Sequence, residues 1–98
     1  MSDDDFFAPP PFKPEDGLER IRRALRDLRS LTERGAARFD WKGMPVFEAA
    51  VDGKLVRVRV AKRPQRTPEW DVTTLTNGAD VRHFIDDFKR RFERWGEE

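Results

Sequence analysis

The sequence contains no cysteine and only one histidine, and it has no long apolar run. Without cysteine the chain has no disulfide, no thiolate metal site and no thiol nucleophile. No stretch of about eighteen apolar residues is present, so the sequence predicts no membrane-spanning helix and no membrane partner. The N-terminus lacks the basic and apolar segments of a secretory signal, and we expect a cytoplasmic location.

Charge, by contrast, is abundant and unevenly distributed. Charged residues make up 40% of the 98 residues, and 20 bases against 19 acids give a net charge of +1. Residues 54–68 carry six bases and no acid, whereas residues 1–16 carry five acids and one base. A chain of this length forms one small domain that buries roughly 60–65% of its unfolded surface. The basic run is therefore the feature of the composition that most invites a functional interpretation.

Residues 1–13 are predicted to be an acidic, aromatic and proline-rich tail, and residues 14–98 a single α+β domain. Three consecutive prolines, Pro9 to Pro11, favour an extended polyproline conformation. Such a tail has three alternatives: it docks on a partner or a sister subunit, it packs on its own domain, or it is disordered. The candidate docking residues are its three aromatic side chains, Phe6, Phe7 and Phe12.

The first helix is predicted to begin near Pro14 and to end near Arg34. Proline suits the first helical turn. Apolar residues recur at steps of three and four along this segment, and Leu28 and Leu31 continue the same stripe. Gly35 is then well placed to end the helix in a left-handed conformation.

Three strands are predicted in the middle of the chain. Val46–Val51 and Lys54–Ala61 alternate apolar and polar residues around Asp52-Gly53, a strong signal for a two-residue hairpin turn. If Asp52 and Gly53 are the two central residues of the turn, Phe47 faces Val58 and Glu48 faces Arg57 across the hairpin. Trp70–Leu75 is the third strand, and an inward Trp70 would direct Asp71 outward. Phe39 and Trp41 are assigned to a short strand or a loop.

The last helix is predicted from about Asp80 to Trp95, with Phe84 and Phe88 on its apolar face. His83, the only histidine, then lies on the opposite, solvated face near Asp87, one turn along. A His–Asp pair is half of a catalytic triad, but no motif positions a nucleophile beside it. The sequence also has no glycine-rich phosphate loop and no cluster with metal-ligand spacing. We therefore expect no enzymatic activity, no catalytic residues, no metal and no cofactor.

The predicted fold class is α+β with the order α-β-β-β-α: a three-stranded antiparallel sheet with both helices packed on one face. The apolar side chains of the hairpin share the helix side of the sheet, and Arg57 and Arg59 share the other. That second face is covered only by solvent, by the tail or by a partner. If the domain is a monomer, this sheet face is open. The alternative is a weak homodimer, in which a second copy covers the face.

These features predict a small non-enzymatic binding or adaptor domain that contacts an unidentified protein partner through the open sheet face and the 62–70 loop. The alternative is nucleic-acid backbone binding through the basic run 54–66, in which the loop cations grip phosphates and Trp70 stacks on a base. A simpler interpretation of the run is an edge strand protected by charge against aggregation. The candidate binding residues are Arg57, Arg59, Lys62, Arg63, Arg66 and Trp70.

Overall fold

The computed structural model describes residues 11–35 and 37–97, so Phe6 and Phe7 lie outside the described residues. Within these residues the chain order is one helix, five strands and a second helix, and the strands form one antiparallel sheet in which each strand pairs with its neighbours in sequence. The elements are α1 (Pro14–Arg26), β1 (Leu31–Arg34), β2 (Arg38–Trp41), β3 (Met44–Asp52), β4 (Leu55–Ala61), β5 (Trp70–Leu75) and α2 (Gly78–Glu97).

The predicted three-stranded sheet is wrong, because two further strands precede the central hairpin. Helix α1 ends at Arg26 and not near Arg34. The backbone N–H of Leu28 then bonds the carbonyl of Leu25, and the N–H of Leu31 bonds that of Leu28, both at 3.0 Å, as the chain turns. From Leu31 onward the backbone pairs with β2 instead of continuing the helix. Gly35, with φ +62°, serves the β1–β2 connection.

The turn between β2 and β3 explains why the sequence left Phe39 and Trp41 between a short strand and a loop. Lys42 and Gly43 both have positive φ, 53° and 79°. Positive φ at both central residues is the property of a type I′ hairpin turn, which is usually marked by Asn-Gly or Asp-Gly. In this sequence Lys-Gly takes that conformation, and the ammonium of Lys42 lies 4.5 Å from the centre of the Trp41 ring. The hairpin therefore has the geometry of a common turn without its usual sequence.

The central hairpin keeps its predicted faces but not its predicted register. Gly53 and Lys54 are the central turn residues, so Glu48 faces Arg59 and Phe47 faces Val60. The predicted partners, Arg57 and Val58, are each two positions away. Gly53 has φ +62°, and glycine at the first central position is typical of a type II′ turn. A shift of two residues preserves the side of the sheet on which every side chain lies.

Both helices pack on the same side of this sheet, around Phe47. The Phe47 ring is fully buried and lies 5.9 Å from Phe84 and 6.1 Å from Phe88 of α2 and 5.8 Å from Phe39 of β2. Ile21 of α1 is also fully buried and belongs to the same cluster. The layer between the helices and the sheet therefore forms most of the core, to which the opposite sheet face adds the buried Ala61 and the half-buried Trp70.

Helix α2 begins at Gly78, two residues before the predicted start at about Asp80, and side chains cap its N-terminus. The side-chain oxygen of Asn77 accepts the backbone N–H of Asp80 at 2.8 Å. The Asp80 carboxylate accepts the backbone N–H of Thr76 at 3.0 Å and its hydroxyl at 3.1 Å. These two bonds lower the pKa of Asp80 below its ordinary value. The reciprocal arrangement resembles a capping box and fixes the junction of β5 with α2.

Candidate interaction surface

The sheet side that points away from the helices is called the open face here. Strand alternation places every second residue on it, and the register aligns these residues in rows across the strands. One row runs Arg38, Glu48, Arg59 and Val72 from β2 to β5, and another runs Ala50, Arg57 and Thr74. The charged and apolar members of the open face include Arg34, Arg38, Asp40, Glu48, Ala50, Asp52, Leu55, Arg57, Arg59, Ala61, Trp70 and Val72.

Most charges of the open face are paired within it. Arg57 contacts Asp52 at 2.9 Å, and Arg59 contacts Glu48 at 3.1 Å. Asp40 is 6% exposed, and its carboxylate lies 3.2 Å from the guanidinium of Arg38 and 3.5 Å from that of Arg34. The face therefore presents alternating positive and negative groups and not a field of one sign.

Trp70 lies on the open face, so the inward orientation considered from the sequence is wrong. It pairs with Ala61 across β4, and the Arg59 guanidinium lies 4.7 Å from the centre of its ring. Two residues along the same strand, Val72 is 57% exposed. Asp71 consequently takes the helix side, where it accepts a bond from Arg91 of α2 at 3.0 Å.

The basic run 54–66 is divided between two surfaces. Arg57 and Arg59 lie on the open face with carboxylate partners. Lys62 begins the β4–β5 loop, where its backbone N–H bonds the carbonyl of Glu69 at 2.9 Å and its ammonium lies 3.9 Å from Asp71. Arg63 and Arg66 are exposed in this loop. The six predicted binding residues are thus not brought together into one basic patch.

Each edge strand carries a carboxylate on its helix side that is bound by a helix arginine. Glu33 of β1 accepts bonds at 3.0 Å from both Arg22 and Arg26 of α1. Asp71 of β5 accepts the bond from Arg91, which also donates to the carbonyl of Ala61 at 3.1 Å. Inward-facing charges of this kind discourage a second chain from adding a strand at the edge. The open face is therefore better suited to a partner than either edge.

The pair at the β1 edge predicts a specific pH dependence. The hydrogen bond from Arg26 is the main cause that lowers the pKa of Glu33, and Arg22 adds to it. A lowered carboxyl pKa stabilises the fold above the unfolded value, about 4.3, and this contribution is lost as the pH falls through the folded value. We expect Glu33→Gln to lower the melting temperature at pH 7 and to lose that difference in acid. Thermal unfolding from pH 7 to pH 2 measures it.

The control for this series is Glu93→Gln, since Glu93 is exposed and has no ion pair among the described residues. Its difference from wild type should change little with pH. If the two variants followed the same pH profile, the ionic contacts of Glu33 would contribute nothing to stability.

His83 is exposed, as expected from its place on α2. It lines a cleft of about 270 Å³ between β5 and α2 together with Asp80 and Asp87. Within residues 11–35 and 37–97, no group of three or more His, Asp or Glu side chains is arranged to hold a metal ion. The same part of the chain contains no helix with the length and apolarity that a membrane crossing needs.

Of the three tail aromatics, the described Phe12 packs on its own domain. It is half-buried against the core, over Gly17 of α1 and close to Val81 of α2. A Cβ atom added at Gly17 would lie 2.9 Å from the Phe12 ring and 3.3 Å from Val81. The glycine that weakens the first helical turn therefore provides the space for this aromatic side chain.

No family model matches the sequence, and comparisons with curated proteins and with solved structures found no significant similarity. The function is therefore inferred from the geometry of this chain alone.

Proposed function

We propose that the chain is a non-enzymatic binding domain that engages a partner protein through the open face, centred on Trp70 and Val72. The observation that carries this proposal is Val72, a large apolar side chain that is 57% exposed beside a half-buried tryptophan. Neither helix packs on this side of the sheet. Partner binding would remove this apolar surface from water, which is the main favourable term in association.

The side chains around Val72 support this role because their positions are restrained before a partner arrives. Arg59 is held by Glu48 at 3.1 Å and stacked over Trp70. Side chains that are ordered in advance lose less conformational entropy on binding. Tryptophan and arginine are also the residue types that most often dominate the binding energy of interfaces.

The charges of the open face favour a protein over a nucleic acid as its partner. Glu48, Asp52 and Asp40 alternate with the arginines and would repel a phosphate backbone. Beside them lies a shallow groove of about 390 Å³, which is lined by Ala50, Arg38, Arg57 and Arg59 among other residues. The matching partner surface has an apolar centre for Val72 and the groove, with a rim that carries both signs of charge.

The experiment compares Val72→Glu with Val51→Glu in quantitative affinity capture from cell extract. Both valines are exposed strand residues, but Val51 pairs with Val56 on the helix side, near the tip of the hairpin. We expect the wild type and Val51→Glu to retain the same partner, and Val72→Glu to reduce its capture about tenfold or more, since an uncompensated charge would be buried. Purified wild type and variants are compared in parallel by analytical ultracentrifugation.

Self-association lost only in Val72→Glu would identify the partner as a second copy of the chain through the same face. Equal capture of the same proteins by all three forms would refute the proposed surface. A wild type that captured nothing specific and sedimented as a monomer would refute the proposed function.

A further inference from the structure

A second surface, on the helix side of the sheet, places four basic side chains around one acid. The β4–β5 loop and the last turns of α2 enclose a cleft of about 360 Å³ at this end of the domain. Four of its six lining residues are bases and one is an acid. The lining residues are Lys62, Arg63, Asp71, Arg91, Arg94 and Trp95.

The single acid of the cleft contacts two of the bases, and the other two have no carboxylate partner among the side chains that the structure describes. Asp71 lies 3.0 Å from Arg91 and 3.9 Å from Lys62, and Arg91 is held further by the carbonyl of Ala61. For Arg63 and Arg94, no carboxylate among the described side chains lies within 4.0 Å. The cleft thus combines two cations beside Asp71 with two guanidinium groups whose donors bond no described carboxylate.

We propose that this cleft binds a ligand that carries a phosphate group. Four cations around one carboxylate leave an excess of three positive charges, and crowded like charges are unfavourable until an anion neutralises them. Guanidinium groups offer a planar pair of donors that matches phosphate oxygens, and bonds between charged groups are the stronger class of hydrogen bond. The buried Trp95 ring supplies an apolar wall against the anion's uncharged portion.

This site differs from the basic run considered from the sequence. The cleft does not include Arg57 and Arg59, because they lie on the open face and pair with carboxylates there. It does include Arg91 and Arg94, because α2 brings them next to Lys62 and Arg63. The site also lies apart from the open face, so its ligand and the partner protein would occupy different surfaces.

Two probes test the proposal at low salt: inorganic pyrophosphate, by isothermal titration calorimetry, and a fluorescein-labelled eight-nucleotide oligothymidine, by anisotropy. We expect Arg63→Ala/Arg94→Ala to weaken binding about tenfold or more, as the loss of charge-assisted bonds implies. The matched control is Arg57→Ala/Arg59→Ala, which removes the same number of arginines from the open face and should change the affinity less than threefold.

The two probes also distinguish the sources of the phosphate. Binding of pyrophosphate alone supports a small phosphorylated ligand. Binding of both, with a salt dependence whose slope falls by about 1.4 in the Arg63/Arg94 variant, supports the backbone of a single strand. The proposal is overturned if neither probe binds the wild type, or if both double variants lose affinity equally, since net charge alone would then account for it.

Discussion

Replacing Phe47 with alanine is expected to lower the free energy of unfolding by about 3–5 kcal/mol, the cost typical of removing a buried phenylalanine. The Phe47 ring is fully buried and lies within 6.1 Å of the rings of Phe39, Phe84 and Phe88. Its loss would leave a cavity where β2, β3 and α2 meet. Domains of this size are stable by about 5–15 kcal/mol in total, so the substitution should remove at least about a fifth of the stability of the fold.

Urea unfolding followed by circular dichroism measures this loss, and Phe47→Leu should retain a large part of the stability. The control is Val72→Ala, a substitution in the same sheet but on the open face, expected to change the unfolding free energy by less than about 0.5 kcal/mol. Similar losses for Phe47→Ala and Val72→Ala would mean that the core does not lie on the side of the sheet described above.

The second large effect is expected at Gly17, where alanine should destabilise the protein although it favours helix. A new Cβ would lie 2.9 Å from the Phe12 ring, which real contacts of this kind do not tolerate. The ring must therefore shift from its place against the core, at a cost of up to about 3 kcal/mol for overpacking. After the gain in helix propensity, about 1 kcal/mol, the expected net loss of stability is up to about 2 kcal/mol.

A double-mutant cycle isolates the contact. With Phe12→Ala as background, Gly17→Ala should become stabilising by up to about 1 kcal/mol, because only the helix propensity remains. Gly78→Ala in the first turn of α2 is the control, since no atom lies within 4 Å of its added Cβ. If Gly17→Ala had the same effect with and without Phe12, the aromatic ring would not be what requires glycine there.

The sequence predicted those parts of the fold in which local pattern and tertiary packing agree. The alternation of Val56 to Val60 with Arg57 and Arg59 identified the two faces of the hairpin, and the aromatic spacing of α2 identified a core helix. It failed at β1, because Leu28 and Leu31 continue the spacing of α1. The preference of Leu31–Arg34 for a strand depends on pairing with β2 and on the contacts of Glu33 with α1, which no local pattern contains.

The candidate site was predictable only in part, for a related reason. Alternation in β5 predicts that Trp70 and Asp71 point to opposite sides, but it does not say which side each takes. The choice depends on Arg91, which is distant in sequence and binds Asp71 from α2. The same tertiary contact brings Arg91 and Arg94 to the β4–β5 loop, so neither arginine was recognised from the basic run alone.

The carboxylates of Glu33 and Asp71, on the helix side of the two edge strands, also affect how the chain behaves at high concentration. Fibril growth requires a strand rim that accepts the backbone of an incoming molecule, and a charge held beneath that rim must first be displaced. Both edge strands of this sheet carry such a charge: Glu33 on β1 and Asp71 on β5. Crowded copies of the chain are therefore not expected to template an open-ended polymer through either edge of the sheet.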